Sequence, residues 1–371
     1  MIRTGGAKGA FASSVHRPGR GFDVWLLVSA AILLFVGLAA IHSVDIARTN
    51  GGGLMIKQML WAAIGLVLYL ACASVSQRVL ERAAPVLYVL GVLSLIGVKL
   101  FGVERNGAKR WLDFGPMQFQ PSEFAKVVLI ITLAVYFSKR WEGRTELRTY
   151  VGSLLHAAPF LILVLLQPHL AGSVSFGMIW LAVSLCAGVP WKFVAATVAI
   201  VVCFAGIALA TPGLVPDYMK ARIIGISSKR DENSNAWQQE RSKIAIGVGG
   251  VNGVGYAHGE QKAAGYIPEQ QNDFIFTVVG EEGGLIGGGL VLLAFGFFFF
   301  RVWLVGYRAA EPFGQMISAG VLSVLGFHTI VNLGMNVGIL PVAGMWLPFM
   351  SYGGTALWMC MACVGLLTGV K

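Results

Sequence analysis

Residues 270–300 read QQNDFIFTVVGEEGGLIGGGLVLLAFGFFFF, and from Leu285 to Phe300 the chain carries no charged side chain. The run Val24–Ala40, VWLLVSAAILLFVGLAA, is equally free of charge. A water-soluble domain has no need of such stretches, whereas a bilayer core roughly 30 Å thick asks for about twenty apolar residues per helix. With 56% hydrophobic and 12% charged residues over 371 positions, the chain reads as an all-α polytopic membrane protein. A transmembrane barrel would show short alternating strands in place of these unbroken runs.

About ten spans are expected: Val24–Ser43, Leu54–Val75, Ala84–Val103, Ser122–Phe137, Leu154–Gln167, Leu170–Val189, Phe193–Ala210, Phe274–Leu304, Met316–Gly338 and Leu347–Val370. Residues 1–23, basic and glycine-rich, read as a cytoplasmic tail, and 24–371 as one membrane domain. Its single large polar insert, 211–272, falls between spans 7 and 8. The insert holds an amphipathic helix near Trp237–Val248, then a glycine-rich stretch from Gly247 to Gly259. No strand precedes these glycines, so they read as a hinge or tight re-entrant turn and not as a phosphate loop.

The net charge of +10 comes from Lys and Arg in short loops, which the positive-inside rule explains without a nucleic-acid partner. That rule puts Arg78, Arg82, Lys139, Arg140, Arg144, Arg148, Lys192, Arg301, Arg308 and both termini in the cytoplasm, and the insert outside. The five cysteines all sit in apolar runs without metal-ligand spacing and read as small core residues.

Polar side chains within spans are costly to keep and point to function. Five groups fall on the outer side. In the first, Asp273 stands where the insert meets the apolar run, with Glu281 and Glu282 about two turns further in. A helix cap accounts for Asp273 alone but not for the two acids beneath it. On a helix, Asp273, Thr277, Gly280 and Gly284 share a stripe, and Glu281 lies beside it. Glu282 points nearly opposite, as a structural residue paired with a neighbour. Gly280, Gly284 and Gly288, spaced by four, suit close helix packing.

The second group runs from Gly107 through Lys109 and Arg110 to Lys126. Glu123 and Lys126, three apart, form either a mutually neutralising pair or, with Arg110, part of a surface facing an anionic substrate. The third is Gln167-Pro168-His169, whose lone histidine more often satisfies an interface than binds a ligand. Asp217 to Arg222, with Lys229 and Arg230, form a cationic fourth. The fifth joins Asn332 and Asn336 to the segment Leu347–Thr355, which includes Ser351 and reads as a re-entrant loop. Residue chemistry leaves two classes open: an enzyme acting on a lipid-borne phosphate, or a transporter with a proton-coupled carboxylate.

The motifs Lys109-Arg110-Trp111-Leu112-Asp113, Gln120-Pro121-Ser122-Glu123, Pro268 to Phe276, Gly280-Glu281-Glu282 and Leu347-Pro348 to Gly354 span nearly the whole chain in this order. Together they resemble the SEDS family (shape, elongation, division and sporulation), polytopic peptidoglycan glycosyltransferases. Trp111-Leu112-Asp113 and Leu340-Pro341-Val342 are more similar to its RodA-type elongation branch than to the division branch. The chain departs from the family at His169, usually Asp, at Ala171-Gly172, usually Gly-Thr, and at Asn272, commonly Thr or Ser.

The resemblance implies polymerisation of lipid II at the outer face by inverting displacement, with Asp273 as general base. It implies Lys126, Arg110 and Arg222 as stabilisers of the leaving diphosphate, Glu123 as the group that positions Lys126, and Glu281 and Ser351 as further substrate-site residues. A diphosphate leaves without a proton, so one carboxylate suffices, unlike the paired acids of glycoside hydrolysis. A divalent cation, Mg2+ or Mn2+, stays an open requirement. A class B penicillin-binding protein and the elongation machinery are the implied partners. A lipid II flippase or other polyprenol-lipid transporter is the alternative from another class.

Overall fold

The computed structural model describes residues 23–47, 53–105, 108–113, 115, 118–140, 146–211 and 235–370. Among them, seven helices are long and apolar enough to cross a bilayer: α1 (Val24–Ala47), α2 (Leu54–Ser74), α3 (Gln77–Phe101), α4 (Pro121–Ser138), α5 (Leu147–Leu165), α10 (Ile275–Arg308) and α11 (Pro312–Asn336). Three shorter apolar helices occupy the other expected stretches: α6 (Leu170–Cys186), α7 (Trp191–Ala210) and α12 (Gly354–Gly369). The described part of the insert contains α8 (Asn235–Val248) and the single turn α9 (Glu260–Ala263). Asp217, Arg222, Lys229 and Arg230 lie outside the described residues.

Pro121 and Pro312 occupy the first turns of α4 and α11, where their missing N–H costs nothing. Two helices start earlier than hydropathy suggests. α3 begins at Gln77, and its polar first turns are held by the Gln77 amide donating to Glu81 Oε1 (2.9 Å). α5 likewise begins at Leu147, ahead of the apolar run. The last span is shorter than expected: helix α12 starts only at Gly354, after a non-helical stretch.

A small antiparallel sheet departs from the all-helical expectation. Strands β1 (Val103–Arg105), β2 (Ala108–Asp113) and β3 (Gln118–Phe119) link α3 to α4, with Glu104 opposite Lys109 and Leu112 opposite Phe119.

α4 is the axis of the bundle, buried along most of its length against α3, α5, α6, α11 and α12. α2 packs along α12, and α1 runs antiparallel to α10. Asp23 pairs with Arg301 (2.7 Å) at one end of that α1–α10 contact, and Ser43 donates to Glu282 at the other. Large apolar side chains point outward from several helices, among them Phe35, Val67, Leu93, Leu293 and Ile330, as a lipid-facing surface requires.

One break positions the site. Gly284, at φ 60° and ψ −157°, interrupts α10, so the stripe from Asp273 to Gly284 does not continue as one helical face. The glycine-rich segment fills the break. Val254 N–H donates to Glu281 O (3.0 Å) and Gly255 N–H to Glu282 O (3.1 Å), while Leu285 and Ile286 N–H donate to Gly250 O (2.9 Å) and Val251 O (3.2 Å). Backbone groups freed by the break thus find partners away from lipid. A side chain at Gly253 (φ 80°) would overlap the Glu282 carbonyl oxygen. Gly253→Ala should therefore destabilise the detergent-solubilised protein by more than the ~1–2 kcal/mol that left-handed backbone alone costs. Gly247→Ala, which would meet nothing within 4 Å, should leave the thermal melt unchanged.

Candidate active site

Asp273 sits in a helical turn just ahead of α10, its N–H and that of Asn272 donating to Glu269 O (3.2 and 2.9 Å). Two fully buried amides on α11 grip the Asp273 carbonyl oxygen: Asn332 Nδ2 at 2.8 Å and Asn336 Nδ2 at 3.1 Å. Asn332 Nδ2 also donates to Met345 O (2.6 Å), and Tyr352 N–H donates to Gln271 O (2.8 Å). The turn is therefore fixed from α11 and from the stretch before α12 at once.

Asp273 is half-buried, and its carboxylate makes no hydrogen bond among the described residues. Burial of the carboxyl group, and then the negative charge of Glu269, push its pKa up from 3.8 to about 7. Glu269 is exposed, in left-handed backbone (φ 54°), and its Oε2 accepts from the amides of Gln271 (3.4 Å) and Asn272.

Arg222 lies outside the described residues, and the other expected site residues are engaged within the protein. Lys126 is fully buried, donating to Glu123 Oε1 (2.8 Å) and Oε2 (3.0 Å) and to His328 Nε2 (3.0 Å), with the Trp346 ring 5.6 Å away. That is the neutralising arrangement, extended by a histidine. Arg110 Nε donates to Gln167 O (3.0 Å) and another guanidinium nitrogen to Pro168 O, while Nη1 lies 3.4 Å from His169 Nδ1. Arg110 and His169 thus tie β2 to the α5–α6 junction. Ser351 Oγ accepts from Leu347 N–H (2.7 Å), closing a turn before α12.

Glu281 is fully buried beneath α9, its Oε1 accepting from Gln261 N–H (2.8 Å) and its Oε2 without a partner among the described residues. Glu282 pairs with Lys262 and accepts from Ser43, the structural pairing its helical position implies. The structure brings Asp273, Asn332 and Asn336 together. It links them to Lys126 and Glu123 along α11, where His328 lies one turn from Asn332. Glu281 and Ser351 sit in separate contacts.

Sequence reasoning missed three participants. Glu269 was findable as an acid four residues before Asp273, on the same face of a helical turn. His328 was findable as a polar residue one turn before Asn332 within a span. Lys262, the partner of Glu282, carried no signal beyond its charge.

A family model described as a cell cycle protein, FtsW/RodA/SpoVE, matches residues 23–371. The peptidoglycan glycosyltransferase MrdB of Escherichia coli (strain K12) is 34% identical over 346 residues, covering 93% of this chain and 92% of that protein. The crystal structure of the rod shape determining protein RodA of Thermus thermophilus matches with a TM-score of 0.70 at 27% identity, over 94% of this chain and 96% of the other. A structure described as coordinating polymerization and crosslinking in a peptidoglycan synthase complex matches with a TM-score of 0.81 at 27% identity, over 94% and 97%.

Proposed function

The chain belongs to the FtsW/RodA/SpoVE family of cell cycle proteins, and from that premise we propose that this multi-pass peptidoglycan glycosyltransferase joins lipid II into β-1,4-linked strands during cell elongation. The single observation carrying the chemistry is the Asp273 carboxylate, held on a clamped turn yet unpartnered among the described residues. A base of pKa about 7 is suited to proton transfer at neutral pH.

In this reading Asp273 takes the proton from the 4-hydroxyl of an acceptor GlcNAc. The freed oxygen attacks the anomeric carbon of the growing chain's MurNAc, and the lipid diphosphate leaves from the opposite face, turning an α linkage into β. Asn332 and Asn336 hold the base in register through its own backbone. Glu123, Lys126 and His328 brace α11 beneath it, and Arg110 and Ser351 fix the flanking loops. A divalent cation fits only in part. Among the described residues no three His, Cys, Asp or Glu side chains converge. Asp273 and Glu269 offer hard oxygens, which Mg2+ takes one or two at a time beside substrate phosphates.

The site is assigned to the outer face and both termini to the cytoplasm. Supporting this, Arg78, Arg82, Lys192 and Arg308 in terminal helix turns, and Lys139 and Arg140 just past α4, fall at the end where Asp23 meets Arg301, opposite Asp273. A class B penicillin-binding protein is the proposed partner, in line with the crosslinking that the matched synthase complex coordinates.

The test is incubation of the purified protein with lipid II, followed by electrophoresis of the glycan product. Strands support the reading. Movement of lipid II across vesicle membranes with no polymer formed would make the protein a transporter instead.

A further inference from the structure

The cations to which the sequence points are engaged internally, Lys126 by Glu123 and His328, and Arg110 by the 167–169 junction. Lys262 is engaged as well, by Glu282 and Ser43. Arg241 on α8 is held in another way. Its guanidinium lies 5.1 Å from the Trp237 ring, one turn back on the same helix, and 4.6 Å from the Tyr266 ring on the segment leading to Asp273. Two aromatic faces fix the guanidinium without using any of its N–H donors. Among the described residues it makes no hydrogen bond or ion pair, and its side chain is partly exposed.

This clamp and Asp273 belong to one packed unit. Ala245, one turn along α8 from Arg241, packs with Ile267, next to Tyr266, and with Phe274, next to Asp273. Ser242, next to Arg241, donates to Asn336 O (2.7 Å), and Asn336 in turn donates to the Asp273 carbonyl. A rigidly stacked fork with unused donors, on the packed unit that also holds the candidate base, is suited to bidentate binding of an oxyanion. A lysine at this position would lack both the stacking plane and the fork.

We infer that Arg241 is an oxyanion-binding residue at the substrate mouth, taking two oxygens either of the lipid diphosphate or of a carboxylate on the stem peptide. This rests on the lipid II reading, whose substrate carries the diphosphate on its lipid end and a stem peptide on its MurNAc. Nothing in the sequence motifs singled Arg241 out, because its role depends on Tyr266, 25 residues further along the chain.

The experiment is calorimetric binding to the full-length protein in detergent, with undecaprenyl diphosphate and free muramyl pentapeptide as separate probes. Arg241→Gln should weaken one of them about 10- to 100-fold, the range for losing a charge-assisted bidentate contact. Arg241→Lys should recover part of the loss, which keeps the test meaningful if the Gln variant folds poorly. Loss in the diphosphate arm assigns the clamp to the lipid end, and loss in the peptide arm to the stem peptide. Unchanged affinity for both probes, or no binding of either by the parent protein, overturns the inference. A parent that binds diphosphate through Arg241 but makes no strands refutes the polymerase reading and leaves this one standing.

Discussion

Asp273→Asn should abolish strand synthesis while making the protein more stable above neutral pH. The two effects have one origin. The amide keeps the shape of the carboxyl and leaves the grip of Asn332 and Asn336 on the backbone carbonyl intact, so lipid II should still bind within a few-fold of the parent. What disappears is the proton acceptor, and general-base catalysis is worth about 10²–10⁴-fold in rate. Stability moves the other way because the folded-state pKa is raised, from 3.8 to about 7. Folding therefore disfavours the ionised form, and the cost grows as pH rises from 3.8 through about 7, where it is complete. Below pH 4 both proteins carry a neutral group and should melt alike; above pH 7 the Asn variant should melt higher. The parent's rate should climb with pH through about 7 as the base ionises. Glu269→Gln removes the smaller cause of the shift, so its rate limb should move to lower pH yet stay above the ordinary carboxylate range, because burial persists. A fully active Asn variant, or a parent rate that falls across that interval, would sink the assignment of Asp273 as base.

Why some of this could be read from the sequence and some could not comes down to range. Apolar runs such as Val24–Ala40 are local signals, and lipid leaves them little choice but helix. The turn bearing Asp273 was legible because an acid at the end of a polar insert conflicts with the run that follows it. The pairing of Glu282 followed from its angle on the helix, although Lys262 did not. The break at Gly284 was hidden, because residues on both sides read as one apolar span. It exists only because the 250–255 backbone supplies partners from about thirty residues away. The β1–β2–β3 sheet was hidden for a similar reason, its strands being too short and polar for any periodicity to register. Lys126 was ambiguous because an i, i+3 pair looks the same whether it faces a cavity or a core. His328, 202 residues away, decides it.

That decision can be put to a direct test. Lys126→Met strands the Glu123 carboxylate, and Glu123→Leu strands the Lys126 ammonium, each in a fully buried position. An uncompensated buried charge costs about 3–5 kcal/mol, so each single variant should melt far below the parent or fail to accumulate. The double variant carries two apolar side chains of similar volume where a buried ion pair stood, an exchange often neutral or stabilising. It leaves only His328 Nε2 without its donor, a cost of about 1–3 kcal/mol. Stability should therefore recover most of the way, with a coupling above about 2 kcal/mol in the double-mutant cycle. The folded double variant then separates two roles for the lysine. A lysine that only braces α11 leaves the KM for lipid II near the parent value and turnover measurable. A lysine that reaches the leaving diphosphate leaves the double variant folded but inactive. Three donors already engaged at 2.8–3.0 Å argue for the first outcome.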